Sequence, residues 1–238
     1  MTLSKKRIII IGGTSGIGLA TAKLAAENGA SLVITGFQGK DFENIKSQIN
    51  GDAEILQLDI ADESAVKTFF DKIGKFDYLT TPGSAVHKGS FLQMDSKTAK
   101  AGFDSKFWGQ YNAAKYAVPH INSGGAIVFF SGVISQRPQL NSVVMATVNS
   151  AVEGLGRALA VELAPIRVNV IAPGLIETPR YANLSEADRA TVFANNIVKS
   201  PIKRLGQPQE IAEAILFLMT NTFMTGQTVF VDGGHLLS

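Results

Sequence analysis

Backbone amides, more than reactive side chains, are the first chemistry this sequence offers. Ile8 to Ile11 run into Gly12-Gly13-Thr14-Ser15-Gly16-Ile17-Gly18, and Leu19, Ala20, Ala22, Leu24 and Ala25 follow at helical spacing. A strand, a glycine turn and a helix in that order bring unhindered N–H groups and the positive end of a helix to one point. That arrangement receives the pyrophosphate of a dinucleotide. The spacing Gly-x-x-x-Gly-x-Gly differs from the Gly-x-Gly-x-x-Gly fingerprint, so the reading rests on context, with a plain strand-to-helix turn as the alternative. Thiolate chemistry is excluded because the chain has no cysteine, and its 3 histidines are too scattered to suggest a metal site.

The elements that must position such a site alternate along the chain. Apolar runs at 31–35, 53–58, 76–80, 126–130, 166–171 and 228–231 read as further strands, with helix-length segments between them. Continuous apolar strands alternating with helices predict a three-layer α/β architecture, a doubly wound Rossmann-type fold with a mostly parallel seven-stranded sheet. Its ligand crevice lies at the carboxyl ends of the strands. No linker, charge block or repeat divides the 238 residues, so one domain spanning 1–238 is expected. The apolar run after Arg7 is too short for a signal sequence, and no stretch reaches the roughly 18–20 apolar residues of a membrane span. A soluble, cytoplasmic protein is the expectation. A net charge of +2, with basic and acidic residues interspersed, argues against a nucleic-acid partner.

The residues after these strands resemble the short-chain dehydrogenase/reductase superfamily over essentially the whole chain. The glycine loop, Leu58-Asp59-Ile60, Phe103 to Gly109, Ala151-Val152-Glu153-Gly154-Leu155, Arg167 to Gly174 with Thr178, and Gly226 to Gly234 carry the resemblance. It implies a nicotinamide dinucleotide, NADP or NAD, held at one end by Gly12, Ser15, Gly16, Ile17 and Gly18. Asp59, Ile60 and Phe37 fall at the adenosine side, where Asp59 is equally readable as a helix N-cap ahead of Glu63 and Ala65. Gly83, Asn149, Pro173, Gly174, Ile176 and Thr178 fall toward the nicotinamide. An acid after the second strand favours NAD and an arginine NADP; Gly36-Phe37-Gln38-Gly39-Lys40 offers neither, and the missing acid with Ser15 and Lys40 tilts the expectation to NADP. Lys40 is also readable as a solvated helix start.

The same resemblance exposes departures. The family's proton relay uses an asparagine, a serine, a tyrosine and a lysine, and the aligned positions here are Lys106, Gly132, Met145 and Asn149. Met145 has no transferable proton, although a one-residue shift would present the Ser131 hydroxyl in place of Gly132. Asparagine and lysine are exchanged in position, which allows Lys106 to fill the space beside the shorter Asn149; the alternative is that Lys106 snorkels to solvent. Ile11 replaces the threonine usual before the first glycine. Thr80-Thr81-Pro82-Gly83 stands for Asn-Asn-Ala-Gly, and the lost amides are expected to weaken the ties of this strand to its neighbours.

Other candidates are weaker. His87 is readable as a replacement acid or a surface-loop residue, and Tyr111, Ser135, Asn141 and Ser142 as donors or as surface, turn and cap residues. Residues 179–200 match the family's substrate lid, with Tyr181, Phe193 and Ile197 as pocket candidates. Residues 143–163 are apolar on nearly every side, which suggests a subunit interface and a homodimer or homotetramer. Three functions remain in play: a dinucleotide-binding protein without ordinary carbonyl reduction, an oxidoreductase acting on a carbonyl or alcohol whose proton comes from water, Lys106, His87 or the substrate itself, and a structural paralogue that binds no nucleotide.

Overall fold

A computed structural model describes residues 2–37, 39–83, 88–182 and 184–238. Seven parallel strands form one sheet in the order β3-β2-β1-β4-β5-β6-β7. They are β1 (Arg7–Ile11), β2 (Ser31–Gly36), β3 (Ala53–Gln57), β4 (Phe76–Thr80), β5 (Ile121–Phe130), β6 (Arg167–Pro173) and β7 (Thr228–Val231). Between them run α1 (Gly16–Glu27), α2 (Phe42–Ser47), α3 (Glu63–Ile73), α4 (Ser96–Phe103), α5 (Gly109–Ala117), α6 (Val143–Glu162), α7 (Glu186–Lys199) and α8 (Pro208–Thr220).

The isoleucine run explains why β1 sits at the centre. Ile8 and Ile10 enter the core beneath α1 and α8, while Ile9 and Ile11 enter the opposite core beneath α3 and α5. A strand that is apolar at every position suits a sheet covered on both faces. Chain order reverses between β1 and β4, and the C-terminal ends of those two strands therefore frame the crevice of a doubly wound sheet.

The far end of β6 is braced from below. Buried Arg167 donates to the Leu218 carbonyl at 2.8 Å, and Asn169 joins the Met224 carbonyl (2.9 Å) and the Gln227 N–H (3.1 Å). Burial pushes the Arg167 guanidinium below its ordinary range, and backbone carbonyls compensate for part of that cost. These contacts lock β6 to the segment between α8 and β7. Gly174 then packs where a Cβ would lie 2.8 Å from the Asp232 Cα. Among the described residues no helix is long and apolar enough to cross a membrane.

Candidate functional site

The glycine loop has three different reasons for its glycines. Gly12 has φ +87°, and a Cβ there would lie 2.3 Å from the Gly83 Cα, so the ends of β1 and β4 touch backbone to backbone. A Cβ at Gly18 would meet the Gly12 carbonyl at 2.2 Å, which seats α1 directly on the loop. Gly16, at φ +51°, faces Thr178 across the mouth, 3.4 Å from where its own Cβ would be. Ser15 occupies the N-cap of α1 but makes no capping bond, and the first turn holds no acid. The amides of Gly16, Ile17 and Gly18 thus carry the positive helix end with no side chain competing for them. Thr178 begins the short turn Pro179–Tyr181 without capping it, so its hydroxyl is also uncommitted to that turn.

At the other side of the mouth, β2 ends in Gly36, whose Cβ would collide with Thr14 Cγ2 at 2.4 Å, and then in Phe37, 51% exposed. Lys40 is exposed just before Asp41, the residue that caps α2 by accepting from Asn44 N–H at 3.0 Å. Asp59 is exposed and accepts from Ala61 N–H at 2.9 Å. It does not cap the next helix: Asp62 does, accepting from Ala65 N–H at 3.0 Å, because Asp62 directly precedes the first helical residue. Ile60 is buried under α5, where Gly109 makes room for it.

The chemical end of the crevice lies where β5 and β6 stop. Here the expectation of a shifted Ser131 hydroxyl fails. Ser131 is buried, and its Oγ donates to Glu153 Oε1 at 2.7 Å, away from the open edge. Glu153 is itself buried on α6 and accepts from Gln136 Nε2 at 3.0 Å. Gly132 follows in extended backbone; a Cβ there would lie 3.1 Å from Asn149 Nδ2 and 3.8 Å from the Pro173 carbonyl. Met145 is buried, 8% exposed. Asn149 Nδ2 reaches the Gly132 carbonyl at 3.5 Å, whereas its Oδ1 is buried with no hydrogen-bond partner among the described residues. Lys106 sits in a π-helical turn, Asp104–Trp108, between α4 and α5; it is half-buried and Nζ donates to the Ser131 carbonyl at 3.3 Å.

The strand ties expected to be weak are remade by a residue that sequence reasoning missed. Gln110, 1% exposed, accepts from Thr81 Oγ1 at 2.6 Å and from Phe130 N–H at 2.7 Å, and donates to the Phe130 and Lys106 carbonyls. Thr80 Oγ1 adds a bond to the Val128 carbonyl at 3.0 Å. Glu153 was likewise unflagged as an internal anchor, though it stands in a quoted motif. No pattern in a single sequence marks either role, since both depend on partners far along the chain.

Of the remaining candidates, His87 lies outside the described residues. Tyr111 stacks on Phe107 and meets Trp108 edge-on at the surface. Ser142 is buried, bonding through its hydroxyl to the backbone of Gln139, a turn role. Ser135 Oγ is buried without a hydrogen-bond partner among the described residues. Tyr181 and Phe193 meet edge-to-face at 5.5 Å between the short turn and α7. Ile176 is buried and bridges to Gly206. Among the described residues no group of histidine, aspartate and glutamate is arranged to hold a metal ion.

Comparisons with known proteins agree with this geometry. Residues 12–235 match the family model described as enoyl-(acyl carrier protein) reductase. The chain is 33% identical over 240 residues to a cis-4-hydroxycyclohexanecarboxylate dehydrogenase of Sinomonas cyclohexanicum, covering 95% of each. It is 29% identical over 250 residues to a 3-oxoacyl-[acyl-carrier-protein] reductase of Thermotoga maritima, covering all of both. A small-chain dehydrogenase crystallised with NADPH superposes with TM-score 0.86 at 34% identity, over 98% of this chain and 99% of that one. A short-chain type dehydrogenase/reductase from Mycobacterium ulcerans superposes with TM-score 0.92 at 25% identity, over 100% and 92%. With its parallel sheet, its glycine loop at the strand-order reversal and a family match along nearly its full length, the chain belongs to the short-chain dehydrogenase/reductase family.

Proposed function

We propose that this protein binds a nicotinamide dinucleotide, NADP(H) ahead of NAD(H), and that the proton relay usual in its family is replaced, so that tyrosine-dependent carbonyl reduction is weak or lost. The uncapped first turn of α1, the bare face of Gly16 opposite Thr178 and the unpartnered Asn149 Oδ1 fit such a ligand. Gly12, Ser15, Gly16, Ile17, Gly18 and Thr178 would take the phosphates; Phe37, Asp59 and Ile60 the adenosine; Gly83, Asn149, Pro173, Gly174 and Ile176 the nicotinamide side. When bound, the dinucleotide supplies hydride exchange with a carbonyl or alcohol carbon. The NADP preference is supported by the lack of a carboxylate at Gly36-Phe37, the exposed Lys40, and a neighbour crystallised with NADPH.

What supports the reading is the pairing of the glycine mouth with a buried thioether, Met145, at the position that the sequence resemblance aligns with the family's acid. A thioether neither donates nor accepts a transferable proton. Residues 179–200 act as the lid of a single domain in this reading, and the chain assembles as a dimer or tetramer.

Fluorescence titration with NADPH and NADH, followed by a panel of aldehydes, ketones and β-keto esters, tests it. Submicromolar to micromolar NADPH binding with NADH weaker is expected. The combined variant Lys106→Asn, Gly132→Ser, Met145→Tyr and Asn149→Lys is expected to confer reduction of at least one carbonyl of the panel that is lost again when the new tyrosine is changed to phenylalanine. Absence of binding to either dinucleotide overturns the reading in favour of a structural paralogue.

A further inference from the structure

Lys106 is placed unlike a lysine that merely solvates a helix. The π turn that carries it is a one-residue widening of the helical ladder, a distortion frequent at functional sites. Its Nζ lies against the last carbonyl before Gly132, and Gly132 in turn abuts the Asn149 amide and the Pro173 carbonyl. A cation, a backbone with no side chain and an amide therefore meet at the C-terminal ends of β5 and β6. Behind them, Ser131 links the cation to a buried carboxylate: its carbonyl accepts from Lys106 and its hydroxyl donates to Glu153.

Resting on the dinucleotide reading above, we propose that Lys106 is the catalytic residue that gives the substrate oxygen its proton. An alkylammonium and a phenol are acids of nearly equal strength, and the ammonium adds a full positive charge beside the oxygen on which negative charge develops. In the reductive direction the carbonyl carbon gains a hydrogen with its electron pair from the reduced nicotinamide. The C=O π pair moves onto oxygen, and the new O–H bond forms as an N–H bond of Lys106 breaks. The neutral amine then regains a proton from water, and the oxidative direction reverses each change. The neighbouring replacements are coherent with this role. A lysine at 149 would set a like charge beside Lys106 and disfavour its protonated form, whereas Asn149 is neutral. Gly132 adds no side chain next to the Ser131 carbonyl that Nζ meets.

Lys106→Met and Lys106→Arg test the proposal, with near-UV circular dichroism to establish that each variant folds and Lys106→Gln as a substitute if one does not. Two quantities are read: the NADPH dissociation constant by fluorescence, and kcat at saturating NADPH on the carbonyl panel. The expected result is wild-type turnover of at least one carbonyl and a loss of about 10²- to 10⁴-fold in kcat for Lys106→Met. NADPH affinity stays within about threefold, far less than the tenfold that marks a lost contact. Lys106→Arg keeps the charge but cannot release its proton, so it loses kcat as well, by less than the methionine variant. Lys106→Met with kcat within about threefold of wild type overturns the proposal. Wild type that binds NADPH and reduces nothing on the panel also overturns it while the dinucleotide reading stands; wild type that binds no NADPH takes down both.

Discussion

Gln110 uses both ends of its side-chain amide inside the protein and ties together the segment after β4, the end of β5 and the π turn. One oxygen serves Thr81 after β4 and the N–H of Phe130 in β5, while the nitrogen serves the carbonyls of Phe130 and Lys106. Replacing it by leucine keeps the volume but strands a buried hydroxyl and a buried N–H. Each stranded group costs about 1–3 kcal/mol, so Gln110→Leu is expected to lower stability by about 2–4 kcal/mol in urea unfolding. A loss below about 1 kcal/mol would show that the network relaxes around the change. Substitution by glutamate is a different case, because it buries a new charge among carbonyls. Residues of this kind are illegible in a single sequence: Thr80 and Thr81 look like lost amides until their partners, Val128 at 48 positions and Gln110 at 29, are seen. Ser131 misleads for the same reason, since only the fold reveals that Glu153, 22 positions on, claims its hydroxyl.

At the scale of elements, the strand-to-helix loop was legible because its requirements are local. A buried strand, a positive φ and a close helix each restrict the sequence within a few residues, and the glycines answer each restriction separately. Strand positions read from apolar runs hold to within a few residues, with β5 extending back to Ile121 through Asn122-Ser123-Gly124-Gly125, a polar stretch that periodicity reads as loop. Of the two readings open for Asp59, the cap of α3 falls to Asp62 instead, because both are suitable acids and only the first helical residue decides between them. The contact between Gly12 and Gly83 joins β1 to β4 at the reversal of strand order, so it can be broken by one methyl group. Gly12→Ala places a Cβ 2.3 Å from the Gly83 Cα at a backbone angle that L residues disfavour. Either the two strand ends part or the loop changes shape. The variant is expected to lose about 100-fold or more in NADPH affinity, roughly 2.7 kcal/mol or greater, and to melt at lower temperature. Retained affinity within about threefold would mean the loop geometry is not what holds the ligand.

At the scale of the molecule, α6 is buried along one side and leaves Val143 and Val161 exposed, at 47% and 82%. It packs beside the π turn whose Trp108, with Phe107 and Tyr111, forms an aromatic surface cluster. Exposed valines and an aromatic cluster, with Thr147, Ser150 and Arg157 exposed between the valines, make a mixed surface that the dimer or tetramer proposed above would cover. Sedimentation equilibrium is expected to give the mass of two or four chains, and Trp108→Glu, which puts a charge in the middle of the cluster, to shift that mass downward. A wild-type mass of one chain at tens of micromolar would remove the proposal. The sequence speaks to assembly only through the apolar residues of 143–163, because a single chain does not contain its own partner.

The collision between Gly36 and Thr14 reaches beyond packing. The end of β2 is where a carboxylate would meet a ribose diol, yet position 36 has no room for any side chain while Thr14 Cγ2 stands 2.4 Å away. Phe37, half open to solvent, is the first place along that strand where an acid fits without disturbing the layer below. Of positions 36 and 37, an acid installed to change coenzyme selectivity therefore fits at 37, while a side chain at 36 would first require a smaller residue at 14.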